Sequence, residues 1–356
     1  MANMTINPTI TFNGKEATEG ILEKVYYKPS FTRIHTVYPG IIAKEQIAFL
    51  DRLSKVTKLD AGCGLGQTTK VLPMHEKFWE PVPMKVWIQA CWSDFVNSFF
   101  VWGMKKGINR ADLSETDLAT YLMDVIPEAM LEDIWRIVWF GDTAVAAYDA
   151  SPAGTLGSAS EAANYNMVDG LWKYIFAGVA IGAGTWGHIP RYINTYNALG
   201  TEAAQLALAA DYAVTVYKNL IKNADSRLRH APNKVILTTD TLFQNFLDSK
   251  ESKVLESSFK RQEQEFWEEI YRSCTIIPIE SWDRHILADF DNTTTLYLPH
   301  RAVLTTIDQI AVGFDEMASA TQFEAFLDKT TELYNIKGAY RMDTNIIENY
   351  MFSVSY

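Results

Sequence analysis

The chain has 356 residues, of which 48% are hydrophobic and 21% are charged, and its net charge is −11. This apolar fraction is enough to form buried cores and excludes a disordered chain. An acidic balance without a basic run excludes a protein that grips nucleic acid through a basic stripe. The three cysteines, Cys63, Cys91 and Cys274, form neither a disulfide framework nor a thiolate metal site.

The sequence shows no membrane or export signal. The N-terminal residues 1–20 have neither a cationic start nor an apolar core, so we expect no signal peptide. The longest apolar stretch, residues 171–186, is interrupted by Lys173 and by glycines, and it is shorter than the ~20 residues that a membrane span needs. We therefore expect a soluble protein without a membrane partner.

The first ninety residues predict an arm followed by an extended loop. Residues 1–45 are polar and rich in turn-forming residues, which indicates an extended N-terminal arm. Residues 46–60 have apolar side chains at helical spacing, which predicts a short helix. Residues 86–92 alternate as in a strand, so we predict a two-stranded excursion with a glycine-rich tip at Gly62, Gly64 and Gly66.

A long helical spine is predicted next. Residues 114–117 form a capping pattern, and apolar residues follow at helical spacing up to Phe140. Pro127 either kinks this helix or starts a second one. The Pro-, Gly- and Ser-rich residues 151–157 then mark a boundary.

The remaining chain predicts a mixed α/β region followed by strands. Short helices are predicted at residues 169–176 and 241–247, a longer helix is capped by Thr201, and residues 235–237 predict a strand. Residues 250–272 are densely charged in both signs, which predicts a solvated helical face.

Strand signals dominate from Thr275 onward. The last of these strands spans residues 350–356, where aromatic and apolar side chains alternate with smaller ones up to Tyr356. This alternation predicts that one face of the strand is buried in a sheet.

One glycine-rich string supports an enzymatic alternative. Asp60, Gly62, Gly64 and Gly66 resemble the first glycine motif of methyltransferases that use S-adenosylmethionine. That motif requires a buried strand before it and a helix after it, but few large apolar residues precede it and Pro73 follows it. A methyltransferase is therefore kept as the alternative hypothesis.

No other string predicts chemistry. The six histidines are scattered, and Trp79 stands where a zinc-protease motif beginning at His75 would need its second histidine. Residues 282–285 contain an acid and a possible base but no nucleophile, and they predict a polar turn anchored by a buried Trp282. We predict no catalytic residue, no cofactor and no metal.

Five strings, in this order, resemble the major capsid proteins of tailed bacteriophages, which have the Hong Kong 97-type fold. Residues 134–142 are similar to the end of the family's spine helix, and residues 168–173 to the helix that leads into its axial domain. Residues 276–283 resemble a strand and turn of that domain. Residues 301–315 and 337–343 are similar to the family's LTT hairpin and closing strands.

The resemblance implies an α+β fold with an N-terminal arm, an extended β-hairpin loop, a peripheral domain with a long spine helix, and a mixed α/β axial domain. The last segment would consist of C-terminal strands that return to the peripheral domain. In chain order, these five parts correspond to residues 1–45, 46–92, 93–168, 169–315 and 316–356.

The resemblance also implies a function without catalysis. Subunits of this family form hexamers and pentamers that close into an icosahedral shell around double-stranded DNA, without sequence-specific binding. Such a subunit is made and assembled in the cytoplasm of a host bacterium and resides in the virion. The implied partners are further copies of the chain, a scaffolding protein, a portal protein and a decoration protein. Because the arm is short, we expect the scaffold to be a separate protein.

The resemblance places the extended loop over a neighbouring subunit. The candidate assembly residues are therefore Gly62, Gly64, Gly66, Phe78 and Trp79. The segment 62–82 is accordingly expected to contribute little to the core of its own subunit. A bacterial nanocompartment shell protein of the same fold is a second alternative.

Overall fold

A computed structural model describes eight stretches of the chain, and these are residues 29–50, 74–91, 117–145, 162–251, 269–291, 293–315, 324–328 and 333–356. The predicted glycine-rich tip at Gly62, Gly64 and Gly66 lies outside the described residues, as does most of the N-terminal arm. Within the described stretches, two larger sheets and a two-stranded sheet accompany one long helix.

The helices of these stretches are α1 (Pro29–Thr32), α2 (Asp117–Phe140), α3 (Leu171–Ala180), α4 (Glu202–Leu206), α5 (Tyr212–Asn223), α6 (Ser226–His230), α7 (Asp240–Glu251) and α8 (Glu280–Asp289). None of them combines the length and the apolar character that a membrane-spanning helix requires.

The strands are β1 (Thr36–Pro39), β2 (Glu45–Leu50), β3 (Met74–Trp79), β4 (Val82–Cys91), β5 (Arg191–Tyr192), β6 (Lys234–Thr238), β7 (Glu269–Tyr271), β8 (Cys274–Pro278), β9 (Ala302–Thr306), β10 (Ile310–Phe314), β11 (Glu324–Asp328), β12 (Leu333–Ile346) and β13 (Ser353–Ser355).

The predicted spine is a single helix, α2, that continues through Pro127. Its C-terminal half presents apolar side chains on successive turns to the main core, where Ile134, Val138 and Trp139 are fully buried. Helical periodicity of this kind is what drives an amphipathic helix onto a protein core. The predicted long spine helix is thus confirmed.

Five strands form a sheet with the order β1-β10-β12-β11, in which β4 also pairs with β12. β4 and β12 are antiparallel over a long register that runs from Cys91 opposite Leu333 to Val82 opposite Met342. The predicted strand at residues 86–92 is therefore confirmed up to residue 91, and it begins earlier than the alternation alone indicates.

A second, six-stranded sheet has the order β5-β13-β9-β6-β8-β7. Its central strands are buried on both faces: Ile236 and Leu304 contact the core beneath α5 and α7, whereas Val235 and Val303 belong to the main core with α2. This double coverage explains why these strands are continuous apolar runs, and their predicted positions are confirmed.

Three local predictions are corrected by the tertiary structure. Residues 45–50 form strand β2 rather than the start of a helix, because their backbone groups pair with β3. The helix that Thr201 caps ends at Leu206, and α5 begins only after Asp211, whose φ of 61° interrupts the helical path. Residues 269–271 form an edge strand rather than a helical face.

One further expectation is wrong. The predicted polar turn at residues 282–285 is part of helix α8, although Trp282 is buried as expected.

At the C-terminus the predicted buried face is confirmed, since Phe352 and Val354 pack into the main core. The opposite face is buried as well, because helix α5 covers it, and the Ser353 hydroxyl donates to the Leu220 carbonyl at 2.9 Å. Within its sheet, the strand lies between β5 and β9. β13 thus joins the six-stranded sheet rather than the sheet that contains β12.

Candidate assembly surfaces

The hairpin of β2 and β3 has two chemically different faces. Because side chains alternate along a strand, Met74, Glu76 and Phe78 point to one face of β3, and the residues between them point to the other. Met74 is 66% exposed and Phe78 is 37% exposed. The opposite face, with His75, Lys77 and Trp79, contacts the body of the same chain.

Trp79 attaches the base of this hairpin to its own subunit. Its side chain is only 4% exposed. It packs with Ile41, which follows β1, and with Ala311, which lies in β10. Gly313 leaves room for the indole, since a Cβ there would lie only 3.1 Å from two ring carbons and would crowd Trp79. The expectation that residues 62–82 contribute little to the subunit's core is therefore wrong at Trp79.

Lys77 and His75 extend this attachment along β3. The Lys77 ammonium donates to the Ile347 carbonyl at 3.1 Å, to Asn349 Oδ1 at 2.7 Å, and also to the carbonyl of Ile346. Burial lowers the pKa of Lys77 to about 8. The His75 ring stacks on Trp186 with centroids 3.8 Å apart. The alternation of β3 could have indicated that one of its faces is buried, but the residues that this face contacts lie far away in the sequence.

The outward face of the hairpin remains accessible to a partner. The Lys44 ammonium lies 4.6 Å from the centroid of the Phe78 ring, which places a cation–π contact beside the exposed aromatic surface. Of the predicted assembly residues, the structure thus places Phe78 on the outward face and Trp79 on the inward face. Gly62, Gly64 and Gly66 lie outside the described residues.

The spine helix meets helix α3 at a closely packed junction. The Gly170 amide donates to the Gly141 carbonyl at 2.7 Å, and a Cβ at Gly170 would lie 2.7 Å from the Gly141 nitrogen. Lys173 contacts Asp142 at 2.6 Å and Asp169 at 2.8 Å. Burial lowers the pKa of Lys173, but these carboxylates outweigh burial and raise it above its usual value. Two strings that carry the family resemblance therefore meet at this junction.

A buried arginine connects the spine to the second sheet. Arg301 is fully buried at the start of β9, and it donates to the Leu298 carbonyl at 2.8 Å and to the Tyr297 carbonyl at 3.0 Å. Burial lowers the pKa of Arg301 to about 10. Its guanidinium carbon lies 5.0 to 5.9 Å from the centroids of four aromatic rings, which belong to Phe140, Trp172, Phe176 and Tyr297. Arg301 was not among the candidate residues predicted from the sequence, although a charged residue directly before an apolar strand could have indicated a buried charge.

The described residues assemble no metal-binding group of three or more His, Cys, Asp and Glu side chains. Burial lowers the pKa of His35 to about 3 and that of His285 to about 4, so both rings are neutral near pH 7. The His35 ring contacts the Trp139 indole nitrogen at 3.0 Å, and His285 Nδ1 lies 3.8 Å from Asp289. Both histidines are therefore packing residues of the core.

No family model matches the sequence, and no curated protein matches it. Solved structures do match it, and the following three are each 10% identical to this chain. The capsid of cyanophage A-1(L) has a TM-score of 0.53, with 92% of this chain and 92% of that chain covered. The capsid of an empty GTA particle has a TM-score of 0.51, with 100% and 93% covered. The satellite phage P4 procapsid has a TM-score of 0.50, with 95% and 98% covered.

The chain has the Hong Kong 97-type capsid fold. The α+β fold class predicted from the sequence is thereby confirmed, and the likeness extends over nearly the whole of each chain. In the described strands of this capsid fold, parallel pairs are limited to β1–β10, β5–β13 and β6–β8. That pattern does not fit the series of parallel strands that the methyltransferase alternative requires.

Proposed function

We propose that this chain is the structural subunit of an icosahedral phage head, which assembles from hexamers and pentamers into a shell that encloses double-stranded DNA. The observation that carries the proposal is the capsid fold, shared with three capsid structures over at least 92% of each chain. Fold alone does not determine function. The proposal is therefore also supported by surfaces of this chain that suit assembly.

The outward face of the β2–β3 hairpin is the first of these surfaces. In the proposed shell, Phe78 and Met74 would bury their exposed area against a neighbouring subunit, at roughly 25 cal/mol per Å² of apolar surface. A single contact of this size is weak. It is repeated at every subunit of a closed shell, so weak contacts are sufficient.

The acidic composition supports enclosure of DNA without tight binding. A net charge of −11 per subunit repels phosphate, so a wall of such subunits would hold DNA at high density and leave it mobile. The proposed partners are further copies of the chain, a separate scaffolding protein, a portal protein and a decoration protein. The chain itself would reside in the virion, would be assembled in the cytoplasm of a bacterial host, and would not be an enzyme.

The domain assignment belongs to the same proposal. The arm (1–45), the extended loop region (46–92), the peripheral domain (93–168), the axial domain (169–315) and the C-terminal strands (316–356) would be its parts. Helix α2 supports the assignment of a spine to the peripheral domain, and the six-stranded sheet supports a mixed α/β axial domain. Two strands cross these boundaries. β10 lies in the range of the axial domain but pairs with β12, and β13 lies in the C-terminal range but pairs with β9.

Expression in bacteria, with and without a scaffolding protein from the same genome, tests the proposal. Sedimentation and negative-stain microscopy should show capsomers or megadalton shells, and shells formed during infection should protect double-stranded DNA from nuclease. A monomer under every condition, together with binding of S-adenosylmethionine, would instead support the methyltransferase. Shells that contain protein cargo and no DNA would support a nanocompartment.

A further inference from the structure

A surface with few charges follows strand β5. Residues 193–210 contain one charged side chain, Glu202, although 21% of the whole chain is charged. Most of the segment is exposed, including Ile193 at 59%, Leu199 at 39% and Leu206 at 39%. An apolar surface of this kind, outside any core, is typical of a contact with another macromolecule.

The segment is held in one conformation by a buried amide. Gln205 is almost fully buried, and its side-chain nitrogen donates to the carbonyls of Leu296 and Asn197, both at 3.0 Å. Its side-chain oxygen accepts from the Leu296 amide at 2.8 Å. The buried amide is therefore satisfied on both of its polar atoms, and it anchors the segment to the chain that precedes β9.

A second set of hydrogen bonds fixes the start of the segment. The Asn194 side chain accepts from the Tyr212 hydroxyl at 2.8 Å and donates to the His300 carbonyl at 3.3 Å. The His300 ring bridges Thr241 Oγ1 and the Gln205 carbonyl, each at 2.8 Å. Because the segment is ordered before any partner arrives, binding to it loses little conformational entropy.

We propose that residues 193–210 form a contact surface between copies of this chain. This inference rests on the proposed function as a self-assembling subunit. Each copy has a net charge of −11, so contacts between copies through charged surfaces would be repulsive and would also require the charges to be desolvated. A surface with a single charged side chain reduces both costs. It also lacks the cluster of charges that a nucleic acid or a strongly basic partner would need for recognition.

The double variant Ile193→Glu/Leu206→Glu tests this inference. Both side chains are exposed, so the variant should melt at the wild-type temperature. In an interface, however, two additional carboxylates would be buried against a like-charged copy. We expect the subunit concentration for half-maximal assembly, measured by light scattering, to increase at least about tenfold.

A matched control is Leu287→Glu, which adds a carboxylate at another exposed leucine, on helix α8. It should assemble close to the wild-type concentration, after allowance for one added charge. If the double variant assembles like this control while the wild type forms shells, the inference is overturned and the proposed function stands. If the wild type never assembles, the proposed function itself fails.

Hydrogen–deuterium exchange gives a second, independent measurement. The inference expects the amides of residues 193–210 that lack an internal hydrogen bond to exchange more slowly in shells than in dissociated subunits. Equal exchange in both states would overturn it. Protection that is already complete in the dissociated subunit would also overturn it, because another part of the same chain would then cover the surface.

Discussion

At the scale of single residues, Arg301 combines a permanent charge with complete burial. Its planar guanidinium donates to two carbonyls at once, and a lysine ammonium at the same position could not reproduce this fork. We expect Arg301→Lys to lower the free energy of unfolding by about 2–4 kcal/mol, as the loss of a buried hydrogen-bond network does. Urea unfolding measures the change. Arg229→Lys, on the exposed surface of α6, is the control and should change little.

A second prediction at this scale concerns pH. Asp283 accepts from the Asp240 amide at 2.6 Å at the start of α7, and burial raises the pKa of Asp283 to about 7. A carboxyl group whose pKa is raised by folding binds its proton more tightly in the native state, so it makes stability fall as pH rises from about 4 to 7. Asp283→Asn should remove this contribution.

Thermal melting between pH 4 and pH 8 measures the effect. The melting temperature of the wild type relative to Asp283→Asn should decrease as pH rises through this window, whereas Asp248→Asn, an exposed change on α7, should follow the wild type. Parallel curves for wild type and Asp283→Asn would show that the Asp283 carboxylate is better stabilised than its burial indicates.

At the scale of elements, one face of the β2–β3 hairpin belongs to the subunit's core, and the other face is proposed to contact a neighbouring subunit. Trp79 is part of the subunit's core, so replacing residues 62–82 with a Gly/Ser linker should produce a destabilised or insoluble protein. Replacing residues 62–72 alone leaves β3 and β4 intact, and we expect cooperative melting without shells. Circular dichroism reports the fold, and microscopy reports the shells. Normal shells from the shorter replacement would contradict an assembly role for Gly62, Gly64 and Gly66.

At the scale of the whole molecule, the net charge of −11 opposes assembly. The Debye length falls from about 30 Å at 0.01 M salt to about 8 Å at 0.15 M salt, which screens repulsion between subunits. We expect the concentration for half-maximal assembly to decrease as sodium chloride is raised over this range, as measured by light scattering. An increase would show that attractive ion pairs between subunits outweigh their net repulsion.

The sequence by itself determined the elements whose pattern is local. Helical spacing predicted the spine that ends at Phe140, because a helix buried on one face has apolar residues at regular intervals. Continuous apolar runs predicted β6 and β9, because strands covered on both faces are apolar at successive positions. The order of short strings predicted the capsid fold for the same reason, since each string lies within a single element or turn.

Tertiary structure alone decided which residues far apart in the chain meet. The sequence marks Trp79 as a large aromatic residue in a strand, but only the position of β10 places it against Gly313 instead of a neighbouring subunit. Ser353 lies on the face that the alternation predicts to be exposed, yet helix α5 packs over that face and buries the residue. Periodicity records that a face is covered, whereas the identity of the covering element depends on the packing of the whole chain.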